Sequence, residues 1–498
     1  MQSTTRESRR ISLIEPIFEP LDDTSGKLVE LVLKRLKLAW SGPKAKRYGV
    51  MVSSIIHASL LAIQWAEREK EKPRSKRKAV MLGMAIGNDN WTMYPLVGST
   101  LGSTVLKAFE KAGYLVRDPN SGRREFYTTE SGKTAYNPIM TCWSVSPSFK
   151  KLLKSTTLRF QETGRPLMTI NEIETYWKKE LRKQRNDAKN KVRLAEQIRR
   201  FGQEAIDQQN ERIKALLNYW REHPLMFPDG NGTSCATRVF SDSSLRVGGR
   251  LYGSWTILPP KKRLECTIDG EVLVQLDICA SQPTLLSVLL GVKMRHLGAN
   301  EDWNDPYIEL TGLGTFGATD GHSDEECTAA KARARGIAKD VLLEIIGTGN
   351  VKKDHPSEDL VKKWSITQAQ WDYFKAKLID AIPALEKLER RYDTKGNPTG
   401  YLNGAGFLAY HESEIMLKTL EALRDQWDVP AYPVHDCLLV KVSDWEIAYS
   451  IFVQTISDYV EELTGTKVIV PIKREGGGLP EIKFRGVYGS STPQHLIP

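Results

Sequence analysis

The chain has 498 residues, 40% hydrophobic and 27% charged, a balance that excludes a disordered chain and allows about two to four domains. Its net charge of +10 points to a polyanionic partner. Six scattered cysteines (Cys142, Cys235, Cys266, Cys279, Cys327, Cys437) make no C-x-x-C pair, which argues against a structural zinc site and a disulfide framework and for a reducing, cytoplasmic setting. The first residues lack the apolar core of a signal peptide, and no apolar run is expected to reach the ~20 residues that span a bilayer.

Residues 1–25 are polar and charged and read as a loose arm. Helical apolar spacing runs from Leu28 to Glu67, through Val29, Val32, Leu36 and Val50 to Trp65, and the charged stretch Glu67–Lys78 with Pro73 reads as an exposed loop or helix end. Gly98–Ala112 is helix-like, followed by Tyr114-Leu115-Val116, a Ser121-Gly122 turn and Glu125-Phe126-Tyr127. Helix, strand, turn, strand is the pattern of a winged helix. With Arg117, Arg123 and Arg124 on its wing, it reads equally as a DNA-docking module or a small scaffolding subdomain. Residues 26–150 form this N-terminal domain.

Residues 151–224 form a helical region. From Ile170 to Glu222 the spacing stays helical, and Lys178, Lys179, Arg182 and Lys183 crowd the first half. Acids are sparse there, which favours a phosphate-tracking surface over a merely solvated face. After His223-Pro224 the texture changes to turns and mixed strands through residue 475, and residues 476–498 read as a loop, a last strand from Ile482 to Val487 and a tail. The fold class is α+β.

Three elements in the second half carry chemistry. Glu271–Asp277 is a buried-type strand ending in an acid, followed by a helical run from Leu285 to Leu290. Alone, Asp277 reads as a turn or N-cap residue; it is also a natural place to hold a metal. Next, Lys331, Arg335 and Lys339 lie four apart, so on a helix they share one face and span ~12 Å, comparable to an extended triphosphate. Like charges at that spacing favour an anionic partner over a merely solvated face, and Glu344 is off their face. Third, two apolar strands flank His435-Asp436 without glycine or asparagine for a tight turn. A His-Asp dipeptide also occurs in metal-dependent phosphohydrolases, but His355 and His411 do not complete such a site.

Strand-end Asp, cation-striped helix and hairpin-tip Asp, in that order, resemble motifs A, B and C of the family A DNA polymerases and their single-subunit RNA polymerase relatives. Asp277 matches motif A; Arg335, Lys339, Leu343 and Gly347 fall in motif B register; Val434-His435-Asp436 matches motif C, with Cys437 where the family has Glu. Gly249-Arg250-Leu251 followed by Leu258-Pro259 resembles a segment that lies against the primer–template. The resemblance covers about 238–442. It departs at Leu343 and Gly347, where the family has Phe and Tyr, and at Gln282, where its DNA polymerases have a Glu steric gate.

The resemblance implies a right-hand polymerase, with 225–475 as palm and fingers and 151–224 in the position of the thumb. It implies a template-directed DNA polymerase that extends a primer 3′ end by two-metal nucleotidyl transfer. A proofreading exonuclease is not recognisable, and within the family that lack and the compact polymerase core suggest a phage, plasmid or mobile-element origin. Asp277 and Asp436 would hold two Mg2+ ions, with Mn2+ as the alternative. Lys331, Arg335 and Lys339 would meet the phosphates, Lys339 also protonating the leaving pyrophosphate. Gln282, Leu343 and Gly347 would border sugar and base, and His435, Arg250 and the 178–183 cations would meet nucleic acid. Glu412 and Glu414 are expected in surface or capping roles. Two alternatives remain: a primase or RNA polymerase using ribonucleotides, and a non-catalytic DNA-binding protein with a degenerate polymerase fold.

Overall fold

The computed structural model describes the chain apart from residues 1–8, 15–16, 73–78, 85–98, 120, 122–123, 129–133, 139–140, 155–156, 173–190, 295–323, 350, 352, 393–397, 402–403, 485–486 and 489–498. It is a mixed α+β protein of two compact units. One comprises residues 1–166 and 224–236, the other 167–223 and 237–498.

The first unit is a four-stranded sheet in the order Arg9–Leu13, Ala79–Met84, Thr141–Val145, Leu115–Arg117. Its first pair is parallel and the others antiparallel. The parallel pair needs a crossover, supplied by the helices Asp23–Arg35 and Pro43–Lys70. Asp22 starts the former by accepting the Ser25 N–H at 2.7 Å. The latter runs through the core, with Val50, Met51, Val52, Ile55 and Ile56 buried beside Val32, Phe109, Trp143 and Phe149.

Two expectations are corrected here. By length and composition the Lys44–Lys70 stretch is apolar enough to cross a membrane, contrary to the expectation of no such run; more than half of its apolar window is buried within this unit. The winged-helix pattern is also rearranged. The helix is found at Ser99–Lys111, but Leu115–Arg117 pairs with Thr141–Val145, while Arg124–Thr128 forms its own hairpin with Thr134–Pro138. Trp143 and Val145 are buried, so the later strand outcompetes the nearer one for the sheet. Arg123 lies outside the described residues.

The second unit is built on five antiparallel strands in the order Ala431–Val434, Cys437–Lys441, Glu271–Ile278, Ile472–Gly476, Ile482–Phe484. Leu273, Val274 and Leu276 on the central strand are fully buried, as a strand covered on both faces requires. The helices Ala405–Trp427 and Trp445–Thr464 pack together on this unit. A smaller sheet joins Met168–Ile170, Thr237–Phe240 and Gly248–Tyr252, and the last of these lies against the Ala405–Trp427 helix.

The edge strand Ala431–Val434 is anchored by aromatics. Trp220 donates its indole N–H to the Ala431 carbonyl at 2.9 Å, and Trp255 donates to that of Pro433 at 2.8 Å. Trp220 also stacks on Tyr432 with centroids 4.5 Å apart. These contacts satisfy carbonyls that an edge strand leaves open and hold the chain leading into His435.

Within 170–222 the structure gives the helices Leu194–Phe201 and Gln203–Glu222, broken at Gly202 with φ +83°. Lys178, Lys179, Arg182 and Lys183 lie outside the described residues. The C-terminal strand expected from Ile482 to Val487 consists of two short ones, Ile482–Phe484 and Val487–Tyr488.

Candidate functional site: two aspartates on neighbouring strands

Asp277 is the seventh of eight residues in the central strand and stands opposite Cys437. Asp436 precedes Cys437 in the two-residue turn of the neighbouring hairpin. The Ile278 N–H reaches the Asp436 carbonyl at 3.3 Å. Sheet register therefore brings together two acids 159 residues apart (436 − 277). The turn has a conformational cost, since His435 holds a left-handed φ of +60° without being glycine.

The two carboxyls feel each other. Burial, then the charges of Asp436 and Glu475, push Asp277 up to about 7, against the pull of Lys473 and Lys339. Asp436 is likewise raised, chiefly by burial, while Arg250 and Lys339 act to lower it. Two half-buried acids that resist ionising together are a donor pair short of positive charge. Hard oxygen donors in that state suit Mg2+, which takes one or two carboxylates plus substrate phosphates rather than an all-protein cage. The described residues hold no group of three or more His, Cys, Asp or Glu that could hold a metal by itself.

The Asp324–Thr348 helix carries Lys331, Arg335, Lys339, Leu343 and Gly347. Lys339 is exposed, and its charge reaches both aspartates. Two acids of the helix, Asp340 and Glu344, are engaged elsewhere. Asp340 binds Lys363 at 2.6 Å and the Trp364 indole at 2.5 Å; Glu344 binds Lys353 at 2.6 Å and the Ser357 hydroxyl at 2.6 Å. Arg335 is half-buried, Leu343 is 39% exposed, and a Cβ on Gly347 would meet nothing within 4 Å.

Past Asp277, Ala280 adopts φ +47° and turns the chain into the Ser281–Leu289 helix, whose second residue is the half-buried Gln282. Ser281 is buried and donates its hydroxyl to Glu412 at 3.2 Å; Asp436 lies within its reach as well. Arg250, on the Gly248–Tyr252 strand, makes a fork with Glu412 through Nε at 2.6 Å and Nη2 at 2.9 Å. His435 faces the Tyr252 ring edge-on at 5.4 Å, and burial, then Arg250 and Arg263, lower its imidazole to about 4.

The surface or capping role expected of Glu412 and Glu414 is overturned. Glu412 has a fully buried side chain, which burial pushes up to about 7 despite the Arg250 fork. Glu414 binds Arg238, whose side chain is wholly buried, and Arg212 at 3.0 Å. Their partners are 162 and 176 residues away, beyond what helical spacing can reveal. The sequence signal is two acids placed just before the apolar residues Ile415, Met416 and Leu417 of the helix. Lys473, opposite Asp277 in the next strand, was also missed.

Electrostatically, Lys339 acts on both Asp277 and Asp436, and Arg250 acts on Asp436 and His435. No family model and no curated protein matches the chain. Among solved structures, the POL domain of Pol1 from M. smegmatis, in complex with DNA primer–template and dNTP, aligns at 13% identity and a TM-score of 0.31. That alignment covers 52% of this chain and 49% of the other, so the chain spans about half of that domain's length. A likeness this low fixes neither a shared fold nor a shared activity.

Proposed function

We propose that the protein is a template-directed nucleotidyltransferase, a DNA polymerase that extends a primer 3′ end. The reading is carried by one observation: sheet register sets Asp277 beside Asp436 in the turn of the neighbouring hairpin, where the Asp436 charge helps raise Asp277 and the exposed Lys339 bears on both.

In the reaction a 3′-hydroxyl gives its proton to solvent and its oxygen bonds to the α-phosphorus of a nucleoside triphosphate, while the bond to the bridging oxygen breaks and pyrophosphate leaves. Asp277 and Asp436 would hold two Mg2+ ions, or Mn2+, which would supply Lewis acidity to the hydroxyl and the phosphates. Lys331, Arg335 and Lys339, one helical turn apart, line the triphosphate, and the Lys339 Nζ gives its proton to the departing pyrophosphate. Gln282 borders the sugar, Leu343 and Gly347 the base, and His435 the primer terminus. Arg250 and the cations Lys178, Lys179, Arg182 and Lys183 meet the nucleic-acid strands. On this reading residues 225–475 would act as palm and fingers and residues 151–224 as a thumb.

Gln282, nearly as large as Glu but uncharged, keeps ribonucleotide use as the second reading. Primer extension with Mg2+, using dNTPs or rNTPs, with and without primer, separates the two. No incorporation under any of these conditions refutes the enzyme and leaves a non-catalytic DNA-binding protein. Incorporation that survives Asp277→Ala refutes the site.

A further inference from the structure

Arg250 is bound to one carboxylate and acts electrostatically on a second. It gives Nε and Nη2 to Glu412, and its charge also bears on Asp436 and on the preceding His435. An arginine fork is the natural partner of any carboxylate within reach. A guanidinium closed directly on Asp436 would occupy the lone pairs that a cation needs.

Glu412 is a costly choice for its position. Its side chain is fully buried on a helix whose neighbours Leu408, Ile415 and Met416 are core residues, where an apolar side chain would pack without desolvating a charge. Nor is it needed to fasten the Thr237–Phe240/Gly248–Tyr252 ribbon to the helix. Arg238 already does that through Glu414 and Ser413.

We propose that Glu412 is a positioning residue that holds the Arg250 fork away from Asp436 and so keeps the Asp436 carboxylate open to a divalent cation. Ser281 braces the arrangement by donating to the Glu412 oxygen that also takes Arg250 Nη2. The inference rests on the reading of Asp436 as a metal ligand. It predicts a reversal: removing the Glu412 charge releases Arg250 onto Asp436, and removing Arg250 as well sets Asp436 free again.

The test is Mn2+ binding to the full-length protein without substrate, read by electron paramagnetic resonance, with circular dichroism to verify folding. Glu412→Gln, nearly isosteric, weakens Mn2+ binding about tenfold, in the range of groups that orient metal ligands. The pair Glu412→Gln with Arg250→Gln returns to within about threefold of wild type, a reversal that a merely structural role would not give. Arg250→Gln alone leaves Mn2+ affinity within about threefold, which keeps the proposal testable if Glu412→Gln does not fold. Unchanged binding in Glu412→Gln overturns the proposal, as does a double variant no better than Glu412→Gln, or a tenfold loss in Arg250→Gln alone. If wild type binds no Mn2+ that Asp436→Asn removes, the metal-site reading fails first and the proposal with it.

Discussion

Replacing Glu414 by alanine isolates a wholly buried guanidinium, and the structure indicates how much that costs. Arg238 gives Nε to the Gly249 carbonyl at 2.9 Å, Nη1 to Gln209, and Nη2 to Glu414 and, at 3.4 Å, to the Ser413 hydroxyl. Glu414 is its one charge partner among these. Arg212, which shares Glu414 at 3.0 Å, keeps Glu421 at 2.7 and 3.0 Å and so is largely spared. Leaving a buried charge unpaired costs about 3–5 kcal/mol. Glu414→Gln, which keeps the shape and one acceptor, should lose roughly half as much. Replacing both partners, Arg238→Met with Glu414→Leu, should recover most of the loss, because two apolar residues need no solvation. Urea denaturation followed by tryptophan fluorescence measures all three. A loss below about 1 kcal/mol for Glu414→Ala, or a double variant worse than Glu414→Ala, would refute the reasoning.

Three further perturbations have defined outcomes. His57 stacks on Phe18 with centroids 3.8 Å apart, and burial lowers its imidazole to about 4, against the pull of Glu162 and Asp229. The unfolded chain therefore takes up the proton first as pH falls, so stability drops between pH ~6.5 and ~4 by up to roughly 3 kcal/mol. His57→Phe should flatten that part of the stability–pH curve; parallel wild-type and variant curves would contradict the assignment. Gly249 has φ +86°, and an added Cβ would come within 2.8 Å of Ser413 Oγ and 3.0 Å of Phe240. Gly249→Ala should cost about 2–3 kcal/mol in urea, and a neutral result would mean that the ribbon can shift. Lys339→Ala should slow single-turnover incorporation by about 10²–10⁴-fold with unchanged primer–template affinity; a loss confined to primer–template binding would move Lys339 from the triphosphate to the duplex.

What the sequence disclosed and what it hid follow a physical division. The Glu271–Ile278 strand was legible because Val272, Leu273 and Val274, with Leu276 after Gln275, make it mostly apolar, and the Asp324–Thr348 helix because its cations keep a four-residue period. The His435-Asp436 turn was legible from its two apolar flanks. Pairing across long separations was not. Nothing near Leu115 shows that its strand would join Thr141–Val145 rather than Arg124–Thr128, since burial of Trp143 decides it. Nor does local pattern show that Glu412 meets Arg250 162 residues earlier. Local periodicity reports which face is apolar, but it cannot report which buried charge will find which partner.

The most direct test of the central claim is single-turnover primer extension with Mg2+ and saturating dNTP, comparing wild type with Asp436→Asn, which keeps the shape of the side chain and removes its charge. Primer–template binding is measured in parallel by fluorescence anisotropy. The account predicts incorporation by wild type and a loss of at least about 10³-fold in Asp436→Asn, with primer–template affinity within about threefold. Incorporation by Asp436→Asn at a rate near that of wild type would contradict it.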